Sequence, residues 1–275
     1  MAAAGADPVG IDTAYRGDPA HYARTRAFPP GIAEQIIHAL LTRLGRPTRA
    51  LDVGAGTGRV AVPLARAGVR TLALDLSPKM CRFLAARAQA EPIPLTVLQG
   101  DARRLPLATG QVDAVLTVHM LHLLPDPRAA LVEMRRVLRA GGWLAVGLQE
   151  HAADAPVAWA QRLWAQALQR AGLTLPLAGW RTYDDLEGHL RSLGGRLQTR
   201  LVAARWQVPV RPAEVWDGVR ERRYSPYWGL SRIQHAALSR RLGRLFQRRF
   251  GPGRRPRAER RAFVWYVYRF DAARP

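Results

Sequence analysis

The glycine-rich run that begins at Leu51 constrains the fold more than any other part of this chain. It reads Leu-Asp-Val-Gly-Ala-Gly-Thr-Gly-Arg and stands between an apolar run and a segment of helical spacing. Glycines at a strand-to-helix turn let the backbone approach an adenosine-containing ligand where a Cβ would collide with it. Asp75 ends the next apolar run, about 20 residues later, where an acid can bind a pair of ribose hydroxyls.

The spacing of the glycines distinguishes two cofactors. A dinucleotide-binding loop has the pattern G-x-G-x-x-G, which would require glycine or alanine where this chain has Arg59. Here the glycines are Gly54, Gly56 and Gly58, and Asp52 precedes them. An acid at this point suits the cationic amino group of a methionine and opposes a pyrophosphate. The loop therefore favours S-adenosylmethionine (SAM) over NAD.

Four sequence blocks occur in an order that resembles a known family. They are LDVGAGTG, LALDLSPKM, LQGDARRLPL, and VDAVLTVHMLHLLPD followed by LVEMRRVLRAGGWLAVG. The chain resembles class I SAM-dependent methyltransferases of the ubiquinone/menaquinone-biosynthesis-like group, over about residues 15–147. One departure is Leu123, which stands where the family pattern has a second histidine.

The order of apolar runs predicts an α/β fold. Strands and helices alternate with short connections, which indicates a doubly wound, mostly parallel sheet with right-handed crossovers. The expected strands are 49–53, 70–75, 94–98, 112–118, 143–149, 196–208 and 261–270, and the expected helices include 58–67, 78–89, 127–139, 157–171 and 183–193. The resemblance implies a Rossmann-like, seven-stranded methyltransferase sheet with helical insertions as a cap.

These patterns divide the chain into six predicted segments. The segments are 1–48 (tail and cap helices), 49–150 (SAM-binding core), 151–180 (helical insertion), 181–208 (core helix and strand), 209–260 (Arg-rich helical insertion) and 261–275 (last core strand and tail). In the resembling family, pieces inserted before the last strand roof the acceptor site.

The resemblance also implies roles for individual residues. Gly54, Ala55, Gly56 and Gly58 wrap the methionine end of SAM, and Asp52 orients its ammonium group. Asp75 accepts the ribose hydroxyls. The adenine is expected to meet Leu76, Met80, Asp101 and Ala102. Asp101 is alternatively a turn or helix-capping residue. Val118 and His119 end the fourth strand beside the cofactor. Tyr22 and Arg26 belong to an N-terminal piece that similar proteins fold over it, with a solvated amphipathic helix as an equal alternative.

Fewer residues are candidates for catalysis or acceptor binding than for cofactor binding. His119 is the tentative catalytic residue because an imidazole titrates near neutrality, although a polar wall without a proton role is the stronger alternative. His122 is a tentative acceptor-pocket residue, as are Tyr224, Tyr227 and Trp228, for which the core of the insertion is an equal alternative. No metal is expected, because no carboxylate or cysteine completes a ligand set beside the two histidines. Asp113 is interpreted as structural.

The leading hypothesis is therefore an enzyme that moves a methyl group from SAM to a small or lipophilic acceptor by in-line displacement and leaves S-adenosylhomocysteine. The alternative is an RNA methyltransferase, because residues 211–261 contain fifteen arginines against four acids. A non-catalytic SAM-binding protein is the third hypothesis. The acceptor, the methylated atom and the oligomeric state stay open.

Composition adds three expectations. The formal net charge of +21 invites a nucleic-acid partner, yet all cations but Lys79 are arginine, which a GC-rich or thermophilic genome also explains. The single cysteine, Cys81, suits a reducing compartment and is expected to be a packed small side chain. No leader peptide or apolar run long enough to cross a bilayer is visible, so a cytoplasmic location is the default.

Overall fold

The structure, a computed structural model, describes residues 18–124, 126–172, 183–223, 227 and 230–270. Its helices are α1 (Pro19–Arg26), α2 (Ile32–Leu44), α3 (Ala61–Arg66), α4 (Pro78–Gln89), α5 (Pro127–Val137), α6 (Pro156–Arg170), α7 (Tyr183–Ser192), α8 (Pro212–Arg220) and α9 (Arg232–Phe250). Its strands are β1 (Arg49–Val53), β2 (Arg70–Asp75), β3 (Leu95–Gln99), β4 (Val112–Val118), β5 (Leu138–His151), β6 (Gly195–Val210) and β7 (Arg257–Phe270).

One seven-stranded sheet has the order β3-β2-β1-β4-β5-β7-β6. Strands β3, β2, β1, β4 and β5 pair in parallel, as a sheet built from strand-helix-strand units requires. The predicted α/β fold with a doubly wound, mostly parallel sheet is confirmed. The strand order reverses at β1, because β2 lies on one side of it and β4 on the other. A ligand in such a sheet binds at the carboxyl ends of the strands beside this reversal.

Local sequence explains the element boundaries near that reversal. Helix α4 begins at Pro78 because Ser77 caps it: the Ser77 side chain accepts a hydrogen bond from the Met80 backbone. Its bounds agree with the predicted 78–89. Helix α3, by contrast, begins three residues later than the predicted 58–67. Gly58 has a φ of +84°, a left-handed conformation that cannot continue a helix.

The predicted bounds of α5, β5 and β7 also differ from those in the structure. Helix α5 ends at Val137 rather than at 139, and β5 runs from Leu138 to His151 rather than over 143–149. The start of this longer β5 lies opposite a break in the β4–β5 register, because Val112 of β4 pairs with Leu138 whereas Ala114 of β4 pairs with Trp143. Strand β7 begins at Arg257 rather than at 261, so the predicted helical segment 209–260 includes the start of a strand. A break in strand pairing depends on backbone contacts with the neighbour, which hydrophobic periodicity does not encode.

The described residues divide into two compact units. The first unit comprises residues 18–148, 183–204 and 263–270. Its core contains apolar side chains of β1, β2, β4, β5 and β7 together with those of α5 and α7. The indole nitrogen of Trp265 donates to the carbonyl of Ile36, which joins β7 to α2. This unit contains the glycine-rich turn.

The second unit comprises residues 149–172, 205–223, 227 and 230–262. Helices α6, α8 and α9 pack around a core of their own, in which the rings of Trp164, Trp216, Phe246 and Phe250 are buried. A buried carboxylate, Glu259, accepts hydrogen bonds from His151 and Arg261 through the same oxygen, at 2.8 and 2.7 Å. No described helix of either unit combines the length and apolar character that a membrane-crossing helix needs.

Candidate cofactor site

The glycine-rich turn is attached to the carboxyl end of β2 by its own backbone. The amides of Gly54 and Ala55 both donate to the carbonyl of Leu74, at 2.8 and 3.0 Å. The amide of Gly56 donates to Oδ2 of Asp75 at 2.7 Å, and the amide of Ser77 donates to Oδ1 at 2.9 Å. The loop after β1 and the acid after β2, which are predicted to share a site, therefore lie in contact.

Glycine is required at Gly54 for two physical reasons. Its φ of +77° is unfavourable for any residue with a Cβ. A Cβ built there would lie 2.5 Å from Cγ and 2.9 Å from Cβ of Met120, so the chain after β4 approaches the turn too closely for a side chain. Gly58 has the same two constraints against Leu84 and Val62. The turn is thus shaped by the elements on both sides of it.

Asp52 and Asp75 form a pair of buried carboxylates at this edge of the sheet. Asp52 is 2% exposed at the end of β1. Burial, followed by the charge of Asp75, raises the pKa of Asp52 to about 7. Burial also raises the pKa of Asp75, although the amides of Ser77 and Gly56 oppose this change by stabilising its ionised form. A cationic group that bound beside the pair would relieve their repulsion.

Arg59 connects the turn to the N-terminal helix. Its guanidinium lies 4.3 Å from the ring centroid of Phe28, and its Nη1 donates to the carbonyl of Arg26 at 3.1 Å. The Arg26 guanidinium in turn lies 5.7 Å from the ring centroid of Tyr22. The predicted cofactor residues Tyr22 and Arg26 are therefore brought to the same loop. The role of Arg59 was missed in the sequence, and its position directly after the third glycine was the only signal.

Asp101 follows β3 and lies beside the same edge, since the amide of Gly100 donates to the carbonyl of Asp75 at 3.0 Å. Its carboxylate is engaged by Arg103 through Nε and Nη2, and it also accepts the Arg103 backbone amide at 2.8 Å. The Arg103 side chain holds the pKa of Asp101 below its usual range. The turn role that we considered for Asp101 is present, and its contact with adenine stays a prediction.

Two of the other predicted adenine-side residues, Leu76 and Met80, lie at the start of α4, and Ala102 follows β3. Met80 and Ala102 are buried at 4% and 7% exposure, and Leu76 is partly buried. The Cys81 thiol donates to the carbonyl of Asp75 at 3.4 Å, and burial followed by the charge of Asp75 raises its pKa. A protonated, packed thiol at this position agrees with its interpretation as a small core side chain.

The segment after β4 carries the predicted chemical residues. Val118 ends β4, and His119 has a φ of +51°, which only a few per cent of non-glycine residues adopt. Left-handed backbone at His119 directs Met120 toward Gly54. His122 lies in a short 3₁₀ turn, Leu121–Leu123, and burial lowers its pKa, so that its ring is neutral at pH 7. The structure thus brings this segment to the glycine-rich turn.

The predicted acceptor residues of the second insertion are placed differently. Tyr224 and Trp228 lie outside the described residues. Tyr227 is 3% exposed and packs edge-on against Trp164, at 5.2 Å between ring centroids. This is the packing of a core residue in the second unit, the second of the two alternatives for this aromatic group. Asp113, interpreted as structural, binds the start of β1 by accepting from the Thr48 amide and hydroxyl and the Arg49 amide.

Part of the chain matches a known protein family and several known proteins. Residues 51–146 match the family described as methyltransferase domain. An uncharacterized methyltransferase of Mycobacterium bovis is 36% identical over 144 residues, which cover 52% of this chain and 54% of that protein. The chain spans from 38% to 54% of the length of the curated relatives that we compared.

Solved structures share the fold. A putative methyltransferase from Bacillus halodurans superimposes with a TM-score of 0.57 at 18% identity, over 89% of this chain and 100% of that chain. The cyclase SpnF superimposes with a TM-score of 0.53 at 18% identity, over 87% of this chain and 81% of that chain. At these identities the likeness shows the fold alone, and a cyclase among the neighbours illustrates that one fold hosts several reactions.

Proposed function

We propose that this protein is an enzyme that binds SAM within residues 51–146, which match the methyltransferase domain family, and transfers its methyl group to a small or lipophilic acceptor. The observation that carries the proposal is the contact between the glycine-rich turn and Asp75. Gly56 and Ser77 each supply one hydrogen bond to the Asp75 carboxylate, one to each oxygen. The Leu76 amide contributes a third bond to this carboxylate. A carboxylate accepts about four bonds, so at least one can still come from a ribose hydroxyl.

The residues present fit SAM in charge as well as in shape. The buried Asp52 and Asp75 favour a ligand with a positive charge, and SAM carries an ammonium and a sulfonium group. Beside Gly56 the turn has open space, because a Cβ built there would meet no atom within 4 Å. We propose that Asp52 orients the ammonium group, that Asp75 holds the ribose, and that Leu76, Met80, Asp101 and Ala102 meet the adenine.

When bound, SAM supplies an activated methyl group on sulfur. The chain then has to align the acceptor and exclude water, because the displacement needs no covalent help from the protein. The side chains after β4 support a lipophilic acceptor, since residues 119–124 contain only histidine, methionine and leucine. The neutral His122 adds no charge there. We propose that His119 forms a polar wall beside the acceptor, with proton removal as a further role to be tested.

The cofactor proposal is tested by calorimetry with SAM and with S-adenosylhomocysteine. We expect both ligands to bind the unaltered protein. The Asp75→Ala variant is expected to bind each ligand at least tenfold more weakly, because hydrogen bonds to a charged group are lost. The matched control is Asp126→Asn, a change in the acid that caps α5 through the Ala129 amide. Unchanged binding in Asp75→Ala, or an equal loss in the control, would contradict the proposal.

The acceptor proposal needs a separate measurement. Formation of S-adenosylhomocysteine is measured with three classes of candidate acceptor: quinone precursors, phenols and amines. Quinone precursors are included because the chain resembles the ubiquinone/menaquinone-biosynthesis-like group. We expect turnover with an apolar acceptor of at least one of these classes. Methyl transfer to RNA together with no turnover of any small acceptor would contradict this part and leave the cofactor proposal intact.

A further inference from the structure

The second unit holds most of the excess positive charge of the protein. Residues 222–258 contain eleven arginines and no acidic residue, and so carry more than half of the formal net charge of +21. A compositional bias toward arginine spreads cations over a whole chain. It does not by itself remove the acids from one stretch, so this stretch requires a local explanation.

Helix α9 displays much of this charge on one face. Its opposite face, with Leu242, Phe246 and Phe250, is buried in the core of the second unit. Arg240, Arg244 and Arg248 are exposed and recur every four residues, so they form one row with a spacing of about 6 Å along the helix axis.

The charged face continues from α9 onto the start of β7. Arg249 and Arg257 lie 5.4 and 5.5 Å from the ring centroid of the same residue, Phe250. One aromatic ring thus joins the end of the helix to the beginning of the strand. We call Arg240, Arg241, Arg244, Arg248, Arg249 and Arg257 the arginine surface. Arg254 and Arg255, in the connection between the two elements, are also exposed.

In the second unit, acids pair with several arginines that lie outside this surface. On α8, Arg211 pairs with Glu214 and Arg220 pairs with Asp217, and Arg261 on β7 pairs with Glu259. Within the part of the chain that the structure describes, no acid forms an ion pair with any member of the arginine surface. Uncompensated like charges repel, and a polyanion that binds across them relieves this repulsion.

We propose that the arginine surface binds the phosphate backbone of a double-helical nucleic acid. A duplex presents rows of phosphates outside and keeps its bases stacked inside, so it needs cations and no aromatic platform. None of the described aromatic rings of the second unit is exposed, which disfavours the base stacking used for single strands. This proposal does not depend on the identity of the methyl acceptor or on SAM binding.

Two observations disfavour a lipid membrane as the partner. An amphipathic helix binds a membrane by burying its apolar face among the lipids. The apolar face of α9 is already buried in protein, and Ile233 and Leu245 are its only exposed large apolar side chains. The exposed face of α9 therefore offers mainly positive charge for binding, and its regular row of arginines fits a regular row of phosphates.

The test is fluorescence anisotropy of the full chain with a labelled 20-base-pair DNA duplex, an RNA duplex of the same length, and a single strand. We expect both duplexes to bind with affinities within about threefold of each other and more tightly than the single strand, because contacts to the backbone carry no sequence information. The affinity is expected to fall steeply with salt, with a log–log slope of about −4 to −6 for four to six phosphate contacts.

Charge-neutralising variants locate the binding. The triple variant Arg240→Gln, Arg244→Gln, Arg248→Gln is expected to bind the duplex at least tenfold more weakly at low salt and to lower the magnitude of the salt slope by about 2 to 3. The matched control removes three exposed arginines of the first unit, Arg70, Arg82 and Arg128, and is expected to stay within threefold of the unaltered protein. A second variant, Arg254→Gln with Arg255→Gln, leaves α9 intact and is expected to weaken binding as well.

Three outcomes would overturn the proposal. The first is a duplex affinity that the α9 triple variant does not change while its circular dichroism is unaltered. The second is an equal loss in the control triple variant, which would show a general effect of net charge. The third is binding to phosphatidylserine vesicles that equals or exceeds binding to the duplex at the same salt concentration.

Discussion

At the scale of single residues, the burial of the Asp52 carboxylate conflicts with the stability of the fold. Its carboxylate is buried beside Asp75, and its pKa of about 7 lies far above the ordinary value of 3.8. The folded protein therefore holds a proton that the unfolded chain releases. Asp52 consequently lowers the free energy of unfolding as the pH rises from about 4 to about 7, and the loss is constant above that range.

This conflict predicts the effect of Asp52→Asn. At pH 8 the variant is expected to be more stable than the unaltered protein by on the order of 1 to 3 kcal/mol, because a buried ionised group is removed. At pH 4 the two proteins are expected to be about equally stable. Urea unfolding at both pH values checks this, with Asp126→Asn, a substitution of an exposed acid, as the control. A stability gain at pH 4 equal to that at pH 8 would contradict the assignment of the effect to ionisation.

Gly54 leads to a second prediction at this scale. Gly54→Ala is expected to lower the free energy of unfolding by about 2 to 4 kcal/mol, because the new Cβ meets Met120 near its backbone at a strained φ. Gly68→Ala is the matched control, since Gly68 has a similar φ of +87° with no atom within 4 Å of the added Cβ. The control is expected to lose only about 1 kcal/mol. Equal losses in urea unfolding would mean that the contact with Met120 is unimportant.

The sequence predicts individual site residues only where the relevant interaction is local. Asp52, Gly54 and Asp75 each stand at the end of a strand that periodicity identifies. The contact of Arg59 with Phe28 and the close approach of Met120 to Gly54 join segments about 30 and 65 residues apart, and local pattern carries no record of such pairs. The pairing of Asp101 with Arg103 is local, but it needs side-chain conformations that a sequence does not give.

At the scale of elements, the start of β1 depends on one acid of β4. Asp113 Oδ2 accepts from the Thr48 amide at 2.7 Å, from the Thr48 hydroxyl at 2.6 Å and from the Arg49 amide at 3.0 Å. Burial raises the pKa of Asp113, but the bonds from Thr48 and Arg49 outweigh it and leave the pKa below its usual value. The stabilisation is therefore present above about pH 4 and is lost as the pH falls through the lowered pKa.

Asp113→Asn is accordingly expected to lower the free energy of unfolding by about 2 kcal/mol at pH 7. The amide has one acceptor oxygen instead of two, and it carries no charge. The difference from the unaltered protein is expected to shrink below about pH 4. Arg139→Gln is the control: this partner of Asp113 is 60% exposed, so its removal is expected to cost less than about 0.5 kcal/mol. A larger loss for Arg139→Gln, measured by urea unfolding, would reverse this ranking.

Elements are predictable where a cap or a proline fixes an end, as Ser77 and Pro78 do for α4, and where a strand is buried on both faces, as β1, β2 and β4 are. Sequence reasoning failed at the ends of β5 and β7. Both strands extend beyond their apolar runs, and their added residues are held by pairing with neighbours rather than by their own hydrophobicity.

At the scale of the whole molecule, charge is unevenly distributed. Acidic residues occur along most of the chain, but residues 222–258 contain none. Repulsion between like charges is therefore concentrated in the second unit. Salt screens such repulsion. We expect the melting temperature to rise between about 0.05 and about 0.5 M NaCl. We expect a smaller rise in the Arg240, Arg244 and Arg248 triple variant and the full rise in the Arg70, Arg82 and Arg128 control. A melting temperature that is independent of salt would contradict this account.

The overall topology was predictable because alternating strands and helices allow few arrangements. The segments 151–180 and 209–260 were predicted as separate insertions, but the sequence did not predict that their helices would share one core, nor which aromatic residues would serve it. In the sequence, an aromatic residue of a core looks the same as one that lines a pocket, so Tyr227 fitted both settings. Its packing against Trp164 distinguishes the core from the pocket wall.

The position of β7 between β5 and β6 has a consequence for synthesis on the ribosome. The last strand in sequence fills an interior place, so two hydrogen-bonding edges stay open until its residues leave the exit tunnel. Translation is slow compared with the collapse of a nascent chain, which leaves those edges available to chaperones or to aggregation in the meantime.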